Sequence, residues 1–179
     1  MFPDHKFIYT VSVMLPKKNF HILPYLLVGN HLYLIISGYE YDLRYKNQVI
    51  EVAKKLGVEN RMIITGPVSE SDKYRYIRDC EIFAFPSLAE GFGLPVIEAM
   101  RFGKKTLLSR HTCLPEIGGD CSYYLDSDDP EYLIDFAKNQ LIDIINENAD
   151  KEKIINWSKK YSWDEAAKGY EKLYDRLLK

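Results

Sequence analysis

A chain of 179 residues, 46% hydrophobic and 28% charged, has room for one globular domain with a proper core. Its formal charge of −2, with no basic stripe to offset the phosphates of a duplex, argues against a nucleic-acid binder. Three cysteines without Cys-x-x-Cys spacing suggest neither a disulfide framework nor a zinc site, and no apolar run reaches membrane-spanning length.

Met1-Phe2-Pro3-Asp4-His5-Lys6 lacks the long apolar segment of a signal peptide, so a cytoplasmic chain is expected. Residues 7–13 read as the first strand. Lys17-Lys18-Asn19 follows, and then an apolar stretch in which a helix over 19–28 would carry Pro24 inside it and lose a hydrogen bond there. Residues 32–36 form a second buried strand, ended by Ser37-Gly38. Leu43, Val49, Ile50, Ala53 and Leu56 repeat at helical spacing over 42–56, and Gly57 is a natural stop. The pattern then recurs as a strand over 61–65, a Gly66-Pro67-Val68 loop, and a helix from Ser69 to about Asp79 opened by Ser69 and Asp72.

The apolar, aromatic run 81–86 reads as a buried strand closed by Pro86. After it come Glu90 and Glu98 with seven residues between them, including a Gly91-Phe92-Gly93-Leu94-Pro95 turn. Pro95 fits the first turn of a helix, where a missing N–H costs nothing. Gly91 and Gly93 carry no side chain to obstruct a ligand, and the N–H groups around Gly93, Leu94 and Val96 are expected to open toward an anion at the helix mouth. Further on, 105–109 reads as strand, 114–118 as a helical turn, 122–125 as a short strand, and 129–147 and 151–160 as helices. The last helix, 163–178, puts Trp163, Ala166, Ala167, Tyr170, Leu173, Tyr174 and Leu177 on one face. Strands alternating with helices predict an α/β fold, a Rossmann-like parallel sheet with helices on both faces, whose ligands bind beyond the carboxyl ends of the strands. No linker or repeat divides residues 1–179, so one domain is expected.

The Glu90–Glu98 stretch resembles the signature of retaining family-4 glycosyltransferases of the GT-B fold. Lys17-Lys18-Asn19, Ile64-Thr65-Gly66-Pro67-Val68, Phe85-Pro86-Ser87, Leu114-Pro115-Glu116-Ile117-Gly118-Gly119 and Tyr161-Ser162-Trp163 occur in the family's order and at its approximate spacing. The resemblance therefore spans nearly the whole chain. It implies the C-terminal, nucleotide-sugar-binding half of a GT-B enzyme, with the N-terminal acceptor domain absent. It also implies retaining transfer of a hexose from a UDP- or GDP-sugar, without metal or other cofactor, to a saccharide or lipid-linked acceptor. The chain alone is expected to be inactive. In the full-length enzyme, peripheral association with the inner face of the membrane is compatible with this reading.

By the same resemblance Lys18 matches the diphosphate-binding lysine, and Lys17 stands where relatives commonly have Arg. Glu90 matches the carboxylate beside the transferred hexose, and Glu98 the one that holds the ribose hydroxyls, for which its two oxygens are suited. Val68 matches a position near the base, Gly38 ends a strand at the same edge, and Gly91, Phe92, Gly93 and Leu94 act mainly through the backbone. Many relatives have an Arg where alignment places Val13, so one diphosphate cation is missing there. Plainer roles compete with each assignment: a solvated Lys18, a Glu90 accepting backbone N–H bonds, a Glu98 paired with Arg101 along its helix, a packed Val68 and Phe92, and a Gly38 serving only a turn.

Other chemistries fit less well. Gly91-x-Gly93 lacks the third glycine of a dinucleotide fingerprint, the four histidines are scattered, and Asp126-Ser127-Asp128 spells a metal-type Asp-x-Asp but leads into what reads as a helix start. Two alternatives to the transferase stay in view: a stand-alone nucleotide-sugar-binding module that needs a partner chain, and a fragment of a GT-B nucleotide-sugar epimerase.

Overall fold

A computed structural model describes residues 5–178; of the N-terminal stretch read above as lacking a signal segment, residues 1–4 lie outside the described residues. Six strands, β1 (Phe7–Val11), β2 (Tyr33–Ser37), β3 (Met62–Gly66), β4 (Ile82–Phe85), β5 (Thr106–Ser109) and β6 (Tyr123–Leu125), form one sheet in the order β3-β2-β1-β4-β5-β6. Every pairing is parallel. The strands read as short continuous apolar runs because both faces are covered. Ile8, Leu34, Ile36, Ile82, Ala84 and Leu107 face one layer, and Phe7, Tyr9, Ile35, Phe83, Phe85 and Leu108 the other.

The first layer holds α1 (Leu43–Lys55), α5 (Pro130–Asn139), α6 (Leu141–Asn146) and a 3-10 helix, Phe20–Leu27. The second holds α2 (Glu70–Asp79), α3 (Leu94–Arg101), α4 (Leu114–Gly118) and α7 (Lys151–Lys159). Caps fix several of these ends. Asp42 accepts from the N–H groups of Arg44 and Tyr45, Ser69 from that of Asp72, and Asp129 from those of Glu131 and Tyr132.

Three expectations change. The helix read over 19–28 is a 3-10 helix: proline disfavours an α-helical interior, and burial of Phe20, Ile22, Leu23, Leu26 and Leu27 holds the segment in the tighter form. The first strand stops at Val11 rather than 13, although Ser12 and Met14 continue the approach by donating to the carbonyls of Ser37 and Tyr39. The single helix read over 129–147 is two, broken at Gln140, which leaves the helical region at φ −126°.

The last helix, α8 (Trp163–Leu177), has no buried residue, and Trp163, Tyr170, Leu173, Tyr174 and Leu177 are all exposed. No helix among the described residues is long and apolar enough to cross a membrane.

Because β1 pairs with β2 on one side and β4 on the other, the chain reverses its winding between β1 and β4. A crevice opens at such a point beyond the carboxyl ends of the strands. The loops that follow β1 and β4 carry the Lys18 and Glu90 motifs.

Candidate functional site

The loop after β1 begins with a one-turn 3-10 helix, Pro16–Lys18, and then bends at Asn19, whose φ of 59° is left-handed. Asparagine tolerates that conformation better than most residues. Its side chain is buried and donates to Asp128 Oδ2 at 3.0 Å, tying the bend to the loop after β6. The Lys17 carbonyl accepts from the Leu88 N–H at 2.8 Å, joining the β1 loop to the β4 loop, while the Lys17 side chain points into solvent.

Lys18 is buried, and its Nζ lies 2.5 Å from Glu90 Oε1 and 5.7 Å from the centre of the Phe85 ring. The expected lysine and the first carboxylate, 72 residues apart in sequence, therefore meet across the switch point. Neither plainer role fits: Lys18 is not a solvated surface lysine, and the Glu90 carboxylate accepts from an ammonium rather than from backbone N–H groups. The Glu90 backbone is held as well. Its N–H donates to Thr112 Oγ1 at 3.2 Å, and the Cys113 thiol donates to the Phe92 carbonyl at 3.2 Å. Thr112 takes a left-handed φ of 52°, uncommon for a β-branched residue, in order to face the bend. The hydroxyls of Thr10 at the end of β1 and Ser87 after β4 are buried without partners among the described residues, on either side of this switch point.

The glycine turn behaves as expected in part. Gly93 has a φ of +96° and caps α3, so a side chain there would be strained, whereas a Cβ on Gly91 would meet nothing. Phe92 and Leu94 are exposed, and Phe92 meets Tyr161 edge-on at 5.8 Å. The N–H of Val96, expected to open toward an anion, instead donates to the Gly93 carbonyl at 3.0 Å. The first turn of α3 closes on itself there, because Pro95 supplies no N–H and Gly93 turns its carbonyl inward.

Glu98 projects from α3 with its side chain 29% exposed. Its partner is not Arg101 but Lys73 of α2, whose Nζ lies 3.0 Å from Glu98 Oε1 and 2.8 Å from Glu70 Oε2. Burial alone lowers the pKa of the Lys73 ammonium, but the hydrogen bonds to Glu70 and Glu98 outweigh it, and the net shift is upward. Tyr9 lies near Glu98 in the layer below. Burial raises the pKa of its phenol, and its hydroxyl approaches Ser37 without a well-formed hydrogen bond.

Gly38 does more than end a strand. At φ +135°, a Cβ there would stand 1.8 Å from the Ser12 carbonyl oxygen, so only glycine lets β2 leave the sheet this close to the β1 loop. Its N–H donates to Gly66 at 2.9 Å, joining the ends of β2 and β3. Val68 is half-buried and packs against the second layer. Val13 is half-buried and contributes no cation. Of the other cations on this edge, Arg110 pairs with Asp126 at 2.5 Å.

Asp126, Asp128 and Asp129 answer to Arg110, Asn19 and the α5 cap respectively, so the Asp-x-Asp run is divided among three local tasks. Two hollows of the fold lie at the opposite, amino edge: one of about 590 Å³ lined in part by His5, Asn30, His31 and Ile145, the other of about 300 Å³ lined in part by Asp120, Cys121, Glu147 and Asp150. Neither includes any residue of the Lys18–Glu90–Glu98 edge.

Residues 2–161 match the family described as glycosyl transferases group 1. The chain is 31% identical over 182 residues to the serotype-specific mannosyltransferase WbdA of Escherichia coli, covering 98% of this chain and 22% of that protein. It superposes on the C-terminal domain of a glycosyl transferase group 1 family protein, LpcC, of Francisella tularensis with a TM-score of 0.70 at 18% identity, covering 87% of this chain and 85% of that one. It also superposes on Anabaena HepE in complex with UDP and glucose, with a TM-score of 0.68 at 20% identity, over 88% of this chain and 47% of that one. The chain thus spans about a fifth of its curated relative.

Proposed function

The chain belongs to the glycosyl transferases group 1 family and has the fold of the C-terminal half of a GT-B enzyme, and on that premise we propose that it is the donor-binding domain of a retaining hexosyltransferase. The observation that carries this reading is the contact of Lys18 with Glu90 across the β1/β4 switch point, with Glu98 one helical stretch further along the same connection. A nucleotide sugar lying along this edge meets three needs in order. Glu98 accepts from the ribose hydroxyls, Lys18 takes the diphosphate, and Glu90 faces the hexose. Breaking the sugar–phosphate bond leaves negative charge on the diphosphate. A lysine already fixed by buried packing stabilises that charge without reorganising at the moment of reaction. Glu90 complements positive charge that develops at the anomeric carbon. Lys17, Gly38, Val68, Gly91, Phe92, Gly93 and Leu94 shape the surrounding surface, several of them through the backbone.

The similarity to a mannosyltransferase favours mannose as the hexose, and a UDP- or GDP-sugar as donor. The acceptor, a saccharide or a lipid-linked one, is assigned to a second domain. The small share of its relative that the chain spans and the uncovered apolar face of α8 both favour such a partner. On its own the purified chain is expected to bind nucleotide and transfer no hexose; robust transfer would overturn the two-domain part of the reading.

Calorimetric titration with UDP, GDP and ADP tests the site. One of the first two is expected to bind, and Glu98→Ala to weaken it about tenfold, the worth of hydrogen bonds to a charged acceptor. Binding of no nucleotide, or equal binding by Glu98→Ala, would contradict the assignment.

A further inference from the structure

We propose that Lys73 is a positioning residue of the nucleotide site: it clamps one oxygen of Glu98 so that the other faces the ribose. The inference rests on the reading of Glu98 as the ribose carboxylate. Lys73 has no place in the motifs that mark the site and comes from a different helix. Three contacts hold its ammonium, from Glu98 Oε1 at 3.0 Å, Glu70 Oε2 at 2.8 Å and the face of the Tyr74 ring at 4.7 Å. Its side chain is 13% exposed, so the stem is packed and the head has little freedom.

Helix electrostatics do not explain a lysine here. Lys73 occupies the first turn of α2, whose start is fixed by the Ser69 cap, and a cation at that end opposes the helix dipole. The two carboxylates compensate, and of these only Glu98 lies outside the helix. Glu70 is exposed and one turn away on α2, an ordinary surface neighbour, whereas Glu98 links α2 to α3. A glutamate side chain has three free torsions, and a carboxylate that must accept from two adjacent hydroxyls loses that freedom on binding. Pinning Oε1 removes much of the loss beforehand. Oε2 has no hydrogen-bond partner among the described residues, on a side chain that is 29% exposed.

The test separates the ribose from the rest of the nucleotide. GDP and UDP, and their 2′,3′-dideoxy counterparts, are titrated into the wild-type chain, Lys73→Met, Lys73→Arg and Glu98→Gln, with thermal unfolding of each variant as a check on folding. Lys73→Met is expected to bind the ribonucleotide about fivefold more weakly and to bind the dideoxy form nearly as wild type does, and Lys73→Arg to restore most of the difference. Should Lys73→Met not fold, Lys73→Gln takes its place with the same expectation. Equal weakening of both nucleotide forms would mean that Lys73 acts only as a distant charge on the diphosphate. Tighter ribonucleotide binding would mean that it competes with the ribose. Either result overturns the proposal. If Glu98→Gln abolishes the preference for ribose while Lys73→Met keeps it, the proposal alone fails; if Glu98→Gln keeps the preference, the ribose reading of Glu98 fails and Lys73 loses its role with it.

Discussion

Both acids of the site are answered by a lysine, and the two pairs differ in almost every other respect. Lys18–Glu90 joins two loops across the switch point of the sheet at 2.5 Å, with side chains 9% and 13% exposed. Lys73–Glu98 joins two helices on one face at 3.0 Å, with side chains 13% and 29% exposed, and its lysine is shared with a third acid. The first pair is the more enclosed: both side chains are largely buried, and a diphosphate that takes Lys18 lies beside the Glu90 charge. The second is more open, because the Glu98 side chain is more exposed and its lysine is shared with Glu70. In the proposed chemistry one lysine therefore has to admit a second anion beside its acid, and the other has to stay with the acid it holds.

Removing the glycine that lets β2 pass the β1 loop has the largest expected effect. Gly38→Ala would drive a methyl into the Ser12 carbonyl, where backbone rather than a flexible side chain must yield. It is expected to destabilise the chain by more than about 3 kcal/mol in urea unfolding, from overpacking added to strain at positive φ. A loss below about 1 kcal/mol would show that the β1 and β2 loops do not depend on this approach.

The pairs themselves should respond unequally. Lys18→Met leaves the Glu90 charge unpaired in a largely buried setting and is expected to cost about 2 kcal/mol, most of it recovered in the double variant Lys18→Met with Glu90→Gln. Lys73→Met is expected to cost less than about 1 kcal/mol, because Glu98 and Glu70 retain access to water. Equal losses in denaturant titrations would erase the distinction between a more enclosed and a more open pair.

The smallest effect is one of pH. The pKa of Lys73 is raised above its ordinary 10.5, so the folded chain holds this proton more tightly than the unfolded one. Its contribution to stability is fully present below 10.5 and is lost as pH climbs through the higher folded value, where the unfolded state carries fewer protons. The stability gap between wild type and Lys73→Met should therefore narrow on that alkaline side. A gap that widens there would reverse the sign of the interaction.

Much of this architecture is legible in the residues alone. Apolar runs bounded by glycine and proline locate all six strands to within two residues or so at either end, and alternation with helical spacing yields the parallel sheet. Lys18 and Glu90 stand out because each lies in a short local pattern, and the fold brings those patterns together. Lys73 could not be found this way. Its partner lies 25 residues off, and the contact exists only because α2 and α3 pack on the same face of the sheet. The tight approach at Gly38 escapes notice for a similar reason, since any turn can use a glycine and only the neighbouring strand shows that this one must. The break at Gln140 leaves no mark in the sequence: neither glycine nor proline is there, and the apolar spacing from Leu133 through Phe136, Leu141 and Ile145 runs straight through it.

The contrast between the pairs is tested most directly by titrating GDP and UDP, without a sugar attached, into Glu90→Gln and Glu98→Gln. Neutralising Glu90 releases Lys18 and removes a negative charge beside the incoming diphosphate, so Glu90→Gln should bind the nucleotide about threefold or more tightly than wild type. Neutralising Glu98 weakens the acceptor proposed for the ribose, so Glu98→Gln should bind about fivefold less tightly. Opposite signs are the predicted result, and a loss of affinity in both variants, or no change in either, would contradict the account.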